Sequence, residues 1–161
     1  MKSYNKVGDD NFGRKLKDKL FNMRITEIRQ LIRCGFEEEA YKKLLQVQLI
    51  KNIGIPQILK VADCFYQLEK YAESLNILEQ VESHQSAIEE EDMESSLNLM
   101  NLLGLVYKEQ GRIEVAEEYW AKCLILNPRY NVALNNLGNI YMHKKNWPEA
   151  VKYYWRSKKC R

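Results

Sequence analysis

The side chains in this sequence best suited to metal or redox chemistry are four cysteines and two histidines, and they are scattered. Thiol and imidazole groups bind zinc when about four of them converge, which motifs such as C-x-x-C usually arrange. The cysteines stand at positions 34, 64, 123 and 160, and the histidines are His84 and His143. Because no two cysteines are close in sequence, we predict no metal site and expect reduced thiols.

Catalytic motifs are also missing from the sequence. An enzyme needs a nucleophile with its base, paired acids in a cleft, or a loop that holds a cofactor. The 161 residues contain no glycine-rich phosphate or dinucleotide loop and no H-E-x-x-H motif. The acidic residues occur in Glu-Lys patterns typical of solvated helix faces. We therefore predict no catalytic residue, no cofactor and no enzymatic activity.

Charge is distributed unevenly, although the net charge is only +3. The run Glu89–Asp92 is acidic, whereas seven Lys or Arg residues and one acid, Glu149, occur from Lys144 to Arg161. These segments are either solvated helix faces or, at the C-terminal end, a basic docking surface. The cluster Tyr153–Arg156 mixes aromatic and basic groups, as surfaces for single-stranded nucleic acid do. Nucleic acid is nevertheless the least favoured of the partners considered.

The composition favours a single helical domain in a cytoplasm-like compartment. Hydrophobic residues make up 45% of the chain, and only three Pro and seven Gly interrupt it. So few turn-forming residues favour long helices. No segment approaches the roughly eighteen apolar residues that cross a bilayer, and no signal peptide is visible. We expect a cytoplasmic location and no membrane partner.

Two segments near the C-terminus repeat each other at a spacing of 34 residues, and this repeat must position any functional side chain. Leu103 aligns with Leu137, Gly104 with Gly138, Tyr107 with Tyr141, Ala116 with Ala150, and Trp120 with Tyr154. Glycine and alanine let two helices approach closely, and the aromatic residues fill the remaining space. The pattern predicts two antiparallel helices per repeat, with a left-handed turn residue at Gly111. Lys145 stands at the equivalent place in the second copy, so we expect slight strain there, followed by a helix cap at Asn146.

The spacing resembles the tetratricopeptide repeat, whose signature is a bulky residue, Leu-Gly, Tyr, a small residue, an aromatic residue and Pro. The first copy supplies all of these, at Met100, Leu103, Gly104, Tyr107, Ala116, Trp120 and Pro128. The second copy supplies Leu134, Leu137, Gly138, Tyr141, Ala150 and Tyr154. The resemblance implies an all-α fold, a right-handed superhelix of about four antiparallel helix pairs.

The resemblance weakens towards the N-terminus. It is close for residues 97–161, looser for 55–96, where Ala62 and Ser74 take the small-residue positions, and loosest for 14–54. Residues 1–13 look like a flexible lead to a single domain, 14–161. The predicted helix pairs cover about 14–52, 55–88, 97–128 and 131–161. The third pair starts eight residues late, so residues 89–96 either extend a helix or form an acidic loop.

By resemblance, such a module holds an extended peptide or a helix in a concave groove lined by the first helix of each pair. The family's groove positions, transferred to this sequence, give Asn98, Asn101, Leu105, Lys108, Asn135, Asn136, Asn139, Met142 and His143 as candidate partner-binding residues, with Leu59 and Asp63 in the preceding copy. An asparagine side chain both donates and accepts hydrogen bonds. The asparagines either form a ladder that pairs with a ligand backbone or simply solvate a helix face.

The resemblance therefore implies a protein–protein interaction module, a scaffold or adaptor whose partner protein or peptide is unidentified. Two alternatives stay open. One is self-association into a homo-oligomer through the C-terminal helix. The other, less favoured, is binding of single-stranded nucleic acid.

Overall fold

The computed structural model describes residues 7–50, 53–84 and 92–159 of the chain. Within these ranges the chain forms eight α-helices and no β-strand. The helices are α1 Val7–Arg33, α2 Glu37–Gln48, α3 Ile55–Gln67, α4 Tyr71–Ser83, α5 Met93–Glu109, α6 Ile113–Leu126, α7 Asn131–His143 and α8 Trp147–Lys159. Consecutive helices pack as four pairs, and each pair also contacts the next. The all-α repeat architecture predicted from the 34-residue spacing is confirmed.

The same turn joins the two helices in every pair. One residue in each turn has a positive φ, namely Gly35 at 80°, Glu69 at 58°, Gly111 at 77° and Lys145 at 56°. The amide of the following residue donates to the carbonyl five residues earlier, at 2.9 Å in all four turns, as at a Schellman-type helix end. The left-handed residues predicted at Gly111 and Lys145 are confirmed. Because the turn at Gly35 matches the others, α1–α2 is a repeat of the same kind.

Glycines let the two helices of a pair approach closely in the last two repeats. A β-carbon on Gly104 would lie 2.8 Å from the Trp120 ring, and one on Gly138 would lie 2.7 Å from the Tyr154 ring. Both distances are shorter than normal carbon–carbon contacts. The predicted role of the Leu-Gly motif in helix crossing is confirmed.

Alanine or serine occupies the facing position on the second helix of a pair. Ala116 and Ala150 are at most 2% exposed, and Ser74 takes this place in α4 with no exposure. The Ser74 hydroxyl donates to the carbonyl of Ala62 at 2.9 Å, which satisfies the polar group that replaces a methyl in the core. The small contact residues predicted for the 55–96 copy are thus in place.

The N-terminal boundary differs from the prediction. Helix α1 begins at Val7, so residues 7–13 are helical and their assignment to a flexible lead is wrong; residues 1–6 lie outside the described ranges. Glycine inside a helix costs about 1 kcal/mol but does not end it unaided. Contacts of α1 with α3 offset this cost, including a hydrogen bond from Gln57 Nε2 to Asp18 Oδ1 at 3.0 Å.

The extra residues between the second and third pairs partly extend α5. This helix begins at Met93, about one turn before Leu97, and its cap is Asp92, whose carboxylate accepts the Ser95 amide at 3.0 Å. Hydrogen bonds from Ser95 also hold the pKa of Asp92 below its ordinary value. Helix α4 ends at Ser83, short of the predicted residue 88. The remaining residues of the acidic run lie outside the described ranges. At α8 the predicted cap is present, since the Glu149 amide donates to Asn146 Oδ1 at 3.4 Å.

Candidate partner-binding groove

The first helices of the pairs form a row, and we call the surface of this row the groove. Helix α3 packs against both α1 and α5, and Asn136 Nδ2 on α7 donates to Asn101 Oδ1 on α5 at 3.3 Å. Two hollows open along the row. The first lies between α1, α3 and the start of α5, and the second lies between the end of α5, the start of α6 and α7.

The first hollow has a volume of about 530 Å³ and carries charges of both signs. Arg29 Nη2 pairs with Asp63 Oδ2 at 2.7 Å across the α1–α3 contact. The Lys60 ammonium donates to Asn22 Oδ1 at 2.7 Å. Glu94 and Asn98 line the α5 wall and are exposed to solvent. The hollow therefore presents a ligand with a carboxylate and an amide from α5 and with the Arg29–Asp63 ion pair from α1 and α3.

Arg29 is not fully paired at the α1–α3 contact. Its Nη2 atom pairs with Asp63, whereas its Nε atom is buried and has no hydrogen-bond partner among the described residues. A buried donor without a partner costs about 1–3 kcal/mol relative to a satisfied one. Because the Nε atom is closed to solvent, this cost belongs to the packing of α1 on α3, and a ligand in the hollow does not reach it.

The second hollow, of about 740 Å³, collects four of the candidate side chains. Lys108, Asn136, Asn139 and His143 line it. The Lys108 ammonium lies 2.7 Å from the Glu109 carboxylate, so its positive charge is partly neutralised. The arrangement suits hydrogen bonding to a polar chain more than capture of a strong anion.

The asparagines are divided between internal and free roles. Asn101 Oδ1 accepts from Trp120 Nε1 at 3.1 Å as well as from Asn136. Asn139 Oδ1 accepts from the Tyr154 hydroxyl at 2.5 Å. Asn98 and Asn135 make no side-chain hydrogen bond to other described residues. Asn101 therefore has its amide NH2 group, and not its oxygen, available to a ligand, whereas Asn139 has its NH2 group and the second lone pair of its oxygen available.

The remaining candidates do not line either hollow. Leu105 is half-buried against the core, Asn135 is half-buried, and Met142 is 42% exposed. Sequence reasoning missed Arg29, because α1 lacks the Leu-Gly pair that sets the register. It also left out Lys60, although Leu59 beside it on α3 was selected. A signal existed, since Arg29 precedes Asp63 by one repeat length and the two occupy equivalent places.

The thiols near the core are held in their neutral form. Burial raises the pKa of Cys64 to about 11 and that of Cys123 to about 11, so neither supplies a thiolate near neutral pH. Cys34 is exposed, and all three are free; Cys160 lies outside the described residues. Among those residues no group of three His, Cys, Asp or Glu side chains is placed to hold a metal ion. No described helix is both long and apolar enough to cross a bilayer.

The repeated helix pairs, their shared turn and the row of first helices define a tetratricopeptide-like α-solenoid, the architecture of a protein-interaction scaffold. The particular family follows from comparison with known proteins. Residues 22–161 match the family described as "Tetratricopeptide repeat protein 21 C-terminal ARM domain", and the chain belongs to it.

Solved structures share the fold. A crystal structure of MamA superposes with a TM-score of 0.60 at 17% identity, covering 98% of this chain and 96% of that one. A second MamA structure gives 0.59 at 18% identity, covering 91% and 75%. A curated relative, the uncharacterized protein ycf37 of Pyropia yezoensis, is 42% identical over 57 residues, which are 35% of this chain and 32% of that protein. The match thus spans about a third of that relative's length.

Proposed function

We propose that this chain is a scaffold or adaptor that binds a partner protein in the groove, through a peptide or helix laid along α1, α3, α5 and α7. The observation that carries the proposal is the first hollow, which the exposed Asn98 amide and the Arg29–Asp63 ion pair line together. The Asn98 carboxamide can both donate to and accept from the backbone of a peptide.

The test compares capture of partner proteins by wild type and by a variant that leaves the core intact. Asn98→Ala combined with Asn135→Ala removes two groove amides that make no internal side-chain bond. Asn101 is left unchanged because its loss would free Trp120 Nε1 in the core. Asn76→Ala, at an exposed position on α4 outside the row of first helices, is the matched control.

Affinity capture from the native cell, with identification of the bound proteins, is the measurement. We expect the same proteins with wild type and with Asn76→Ala, and their loss from the double variant at unchanged helicity. Undiminished capture by the double variant would place the partner site elsewhere.

Self-association through α8 is a second candidate function, which ranks below groove binding because basic residues flank α8. The observation in its favour is that Trp147 and Trp155 are 57% and 60% exposed. It predicts that the sedimentation coefficient rises with protein concentration. Single-stranded nucleic acid is less favoured, because Tyr153 stacks on Tyr141 with ring centres 5.4 Å apart and the Tyr154 ring packs against Gly138. Neither ring is then free to stack on bases.

We further propose that the chain is not an enzyme and acts in the cytoplasm. Support comes from the raised pKa values of its buried thiols and from the free state of the described cysteines. Free thiols are typical of reducing compartments. Fractionation of the native cell, with detection by antibody, tests the location.

A further inference from the structure

Helix α8 carries an apolar strip that no described residue covers. Trp147, Val151 and Trp155 are 57%, 54% and 60% exposed. Residues four apart lie on one side of a helix, so the three form a continuous strip, which we call the α8 strip. Two half-exposed tryptophans are large for a surface helix, and tryptophan is enriched where protein interfaces concentrate their binding energy.

The strip occupies positions that face the next helix pair elsewhere in the repeat. Val151 is one repeat length after Glu117 of α6. Glu117 accepts hydrogen bonds from the Tyr141 hydroxyl on α7 and from the Lys144 ammonium, the latter at 2.6 Å. The Glu117 position therefore points at the following first helix, and Val151 points to where such a helix would lie beyond α8.

Trp155 lies at the edge of the same contact. It is one repeat length after Ala121, which is exposed in α6, and the counterpart of both in α4 is the exposed Glu79. The Glu79 carboxylate accepts a hydrogen bond from the Tyr107 hydroxyl on α5 at 3.2 Å. The Val151 position thus contacts the following first helix, whereas the Trp155 position lies at the exposed edge of that contact. In α8 both positions carry apolar side chains. The α8 strip is shaped to pack against one more helix.

The surroundings of the α8 strip are basic. From Lys144 to Lys159 there are six Lys or Arg residues and one acid, Glu149. That acid already lies 3.2 Å from the Lys152 ammonium. The Lys159 ammonium lies 5.7 Å from the centre of the Trp155 ring. An occupant of the strip is therefore surrounded by positive charge that its own side chains must match.

Neither end of the helix row in a second copy of this chain supplies the matching charge. Two α8 strips brought together would place like charges side by side. The other end of the molecule also exposes apolar side chains, Phe12, Leu16, Leu20 and Met23. Residues 12–24, however, contain five Lys or Arg and one Asp, so head-to-tail stacking also opposes like charges.

We propose that the α8 strip binds an acidic amphipathic helix of a partner protein. Its apolar side chains pack on Trp147, Val151 and Trp155, and its carboxylates lie towards the flanking lysines. The helix takes the place that the first helix of a following pair would take. This surface is separate from the groove, so the proposal does not rest on groove binding.

A display library of helical peptides, unbiased in charge, tests the proposal. Peptides selected on the wild-type chain are rescreened on Val151→Glu, which installs the residue that α6 carries at Glu117. Ile125→Glu, at an exposed position of 82% on α6, is the matched control. We expect a set of peptides that bind at least about tenfold more weakly to Val151→Glu, as for loss of an interface centre, and that keep their affinity for Ile125→Glu.

These peptides should be rich in Asp and Glu, with apolar residues at helical spacing. Lys158→Glu with Lys159→Glu should weaken them by about tenfold, and added salt should weaken them further. The groove variant that combines Asn98→Ala with Asn135→Ala should bind them normally, so failure here and failure of the groove are distinguishable. The absence of peptides sensitive to Val151→Glu, or a neutral or basic composition of those found, overturns the proposal. Two other results would also overturn it. If Val151→Glu abolishes self-association, the occupant is a second copy; if it abolishes retention on vesicles of anionic lipid, the occupant is a lipid surface.

Discussion

Replacing Gly104 with alanine adds a methyl group where the Trp120 indole already lies. The new β-carbon would be 2.8 Å from two ring atoms, and Trp120 is 0% exposed, so its ring has no room to withdraw. Overpacking of this kind costs about 1–3 kcal/mol, whereas alanine gains about 1 kcal/mol over glycine in a helix. We expect Gly104→Ala to lower the free energy of unfolding by up to about 2 kcal/mol.

Gly138 provides a comparison at the equivalent position of the last pair. Its β-carbon would approach the Tyr154 ring to 2.7 Å, but Tyr154 is only half-buried and lies on α8. This ring can tilt towards solvent and so relieve the steric overlap, which the buried Trp120 ring cannot do. The gain in helix propensity should then nearly balance the contact, and we expect Gly138→Ala to change stability by less than about 0.5 kcal/mol.

Urea denaturation followed by circular dichroism measures both changes, and a double-mutant cycle with Trp120→Phe isolates the contact. In the Trp120→Phe background the smaller ring leaves space, so alanine at position 104 should be neutral or stabilising. The coupling between the two positions should be about 1–3 kcal/mol. Equal costs of Gly104→Ala in both backgrounds, or a Gly104→Ala chain more stable than wild type, would refute the account of helix crossing.

Three further changes test other parts of the fold. Burial raises the pKa of Glu117, but hydrogen bonds from Lys144 and Tyr141 outweigh burial and hold this pKa below its ordinary value. As the pH falls, the unfolded chain is therefore protonated at Glu117 before the folded chain is. Stability should therefore decline below about pH 4.5 less steeply in Glu117→Gln than in wild type, as measured by urea melts across the acid range. Ser74→Ala removes a second hydrogen bond to a carbonyl that keeps its place in helix α3 and should cost about 0.5–1.5 kcal/mol, whereas the exposed Ser83→Ala should be neutral; thermal melts compare them. Lys145→Gly relieves a left-handed lysine at φ 56° and should raise stability by about 0.5–1 kcal/mol in the same assay.

The helix pairing was predictable because the residues that allow close crossing are few in kind and recur at a fixed spacing. Gly104, Ala116 and Trp120 identify one crossing, and the same spacing finds the next. The first pair was less evident, since α1 has no Leu-Gly and long side chains pack instead. What it shares with the other pairs is the turn at Gly35, a backbone feature that depends on φ and a main-chain hydrogen bond more than on residue type.

The groove was only partly predictable. The candidate positions on α5 and α7 lie on the row of first helices, but the role of each depends on partners in other helices. Asn101 accepts a hydrogen bond from Trp120, nineteen residues away, and nothing local to Asn101 indicates that bond. Arg29 was missed because the repeat register could not be extended into α1, although its sequence separation from Asp63, 34 residues, equals the repeat length. The sequence therefore predicts where a residue lies within a repeat, but it does not predict which residue is its hydrogen-bond partner.

The double hydrogen bond at Asn101 has a consequence for the thermodynamics of association. Its carboxamide is oriented by the Trp120 indole and by Asn136, so one rotamer is already selected when no partner is present. Immobilising a flexible side chain at an interface commonly costs about 0.5–1.5 kcal/mol, and at this position folding has largely met that cost. A ligand carbonyl approaching the Asn101 amide would meet a donor fixed in direction, so the rotational entropy lost on complex formation falls mainly on the partner.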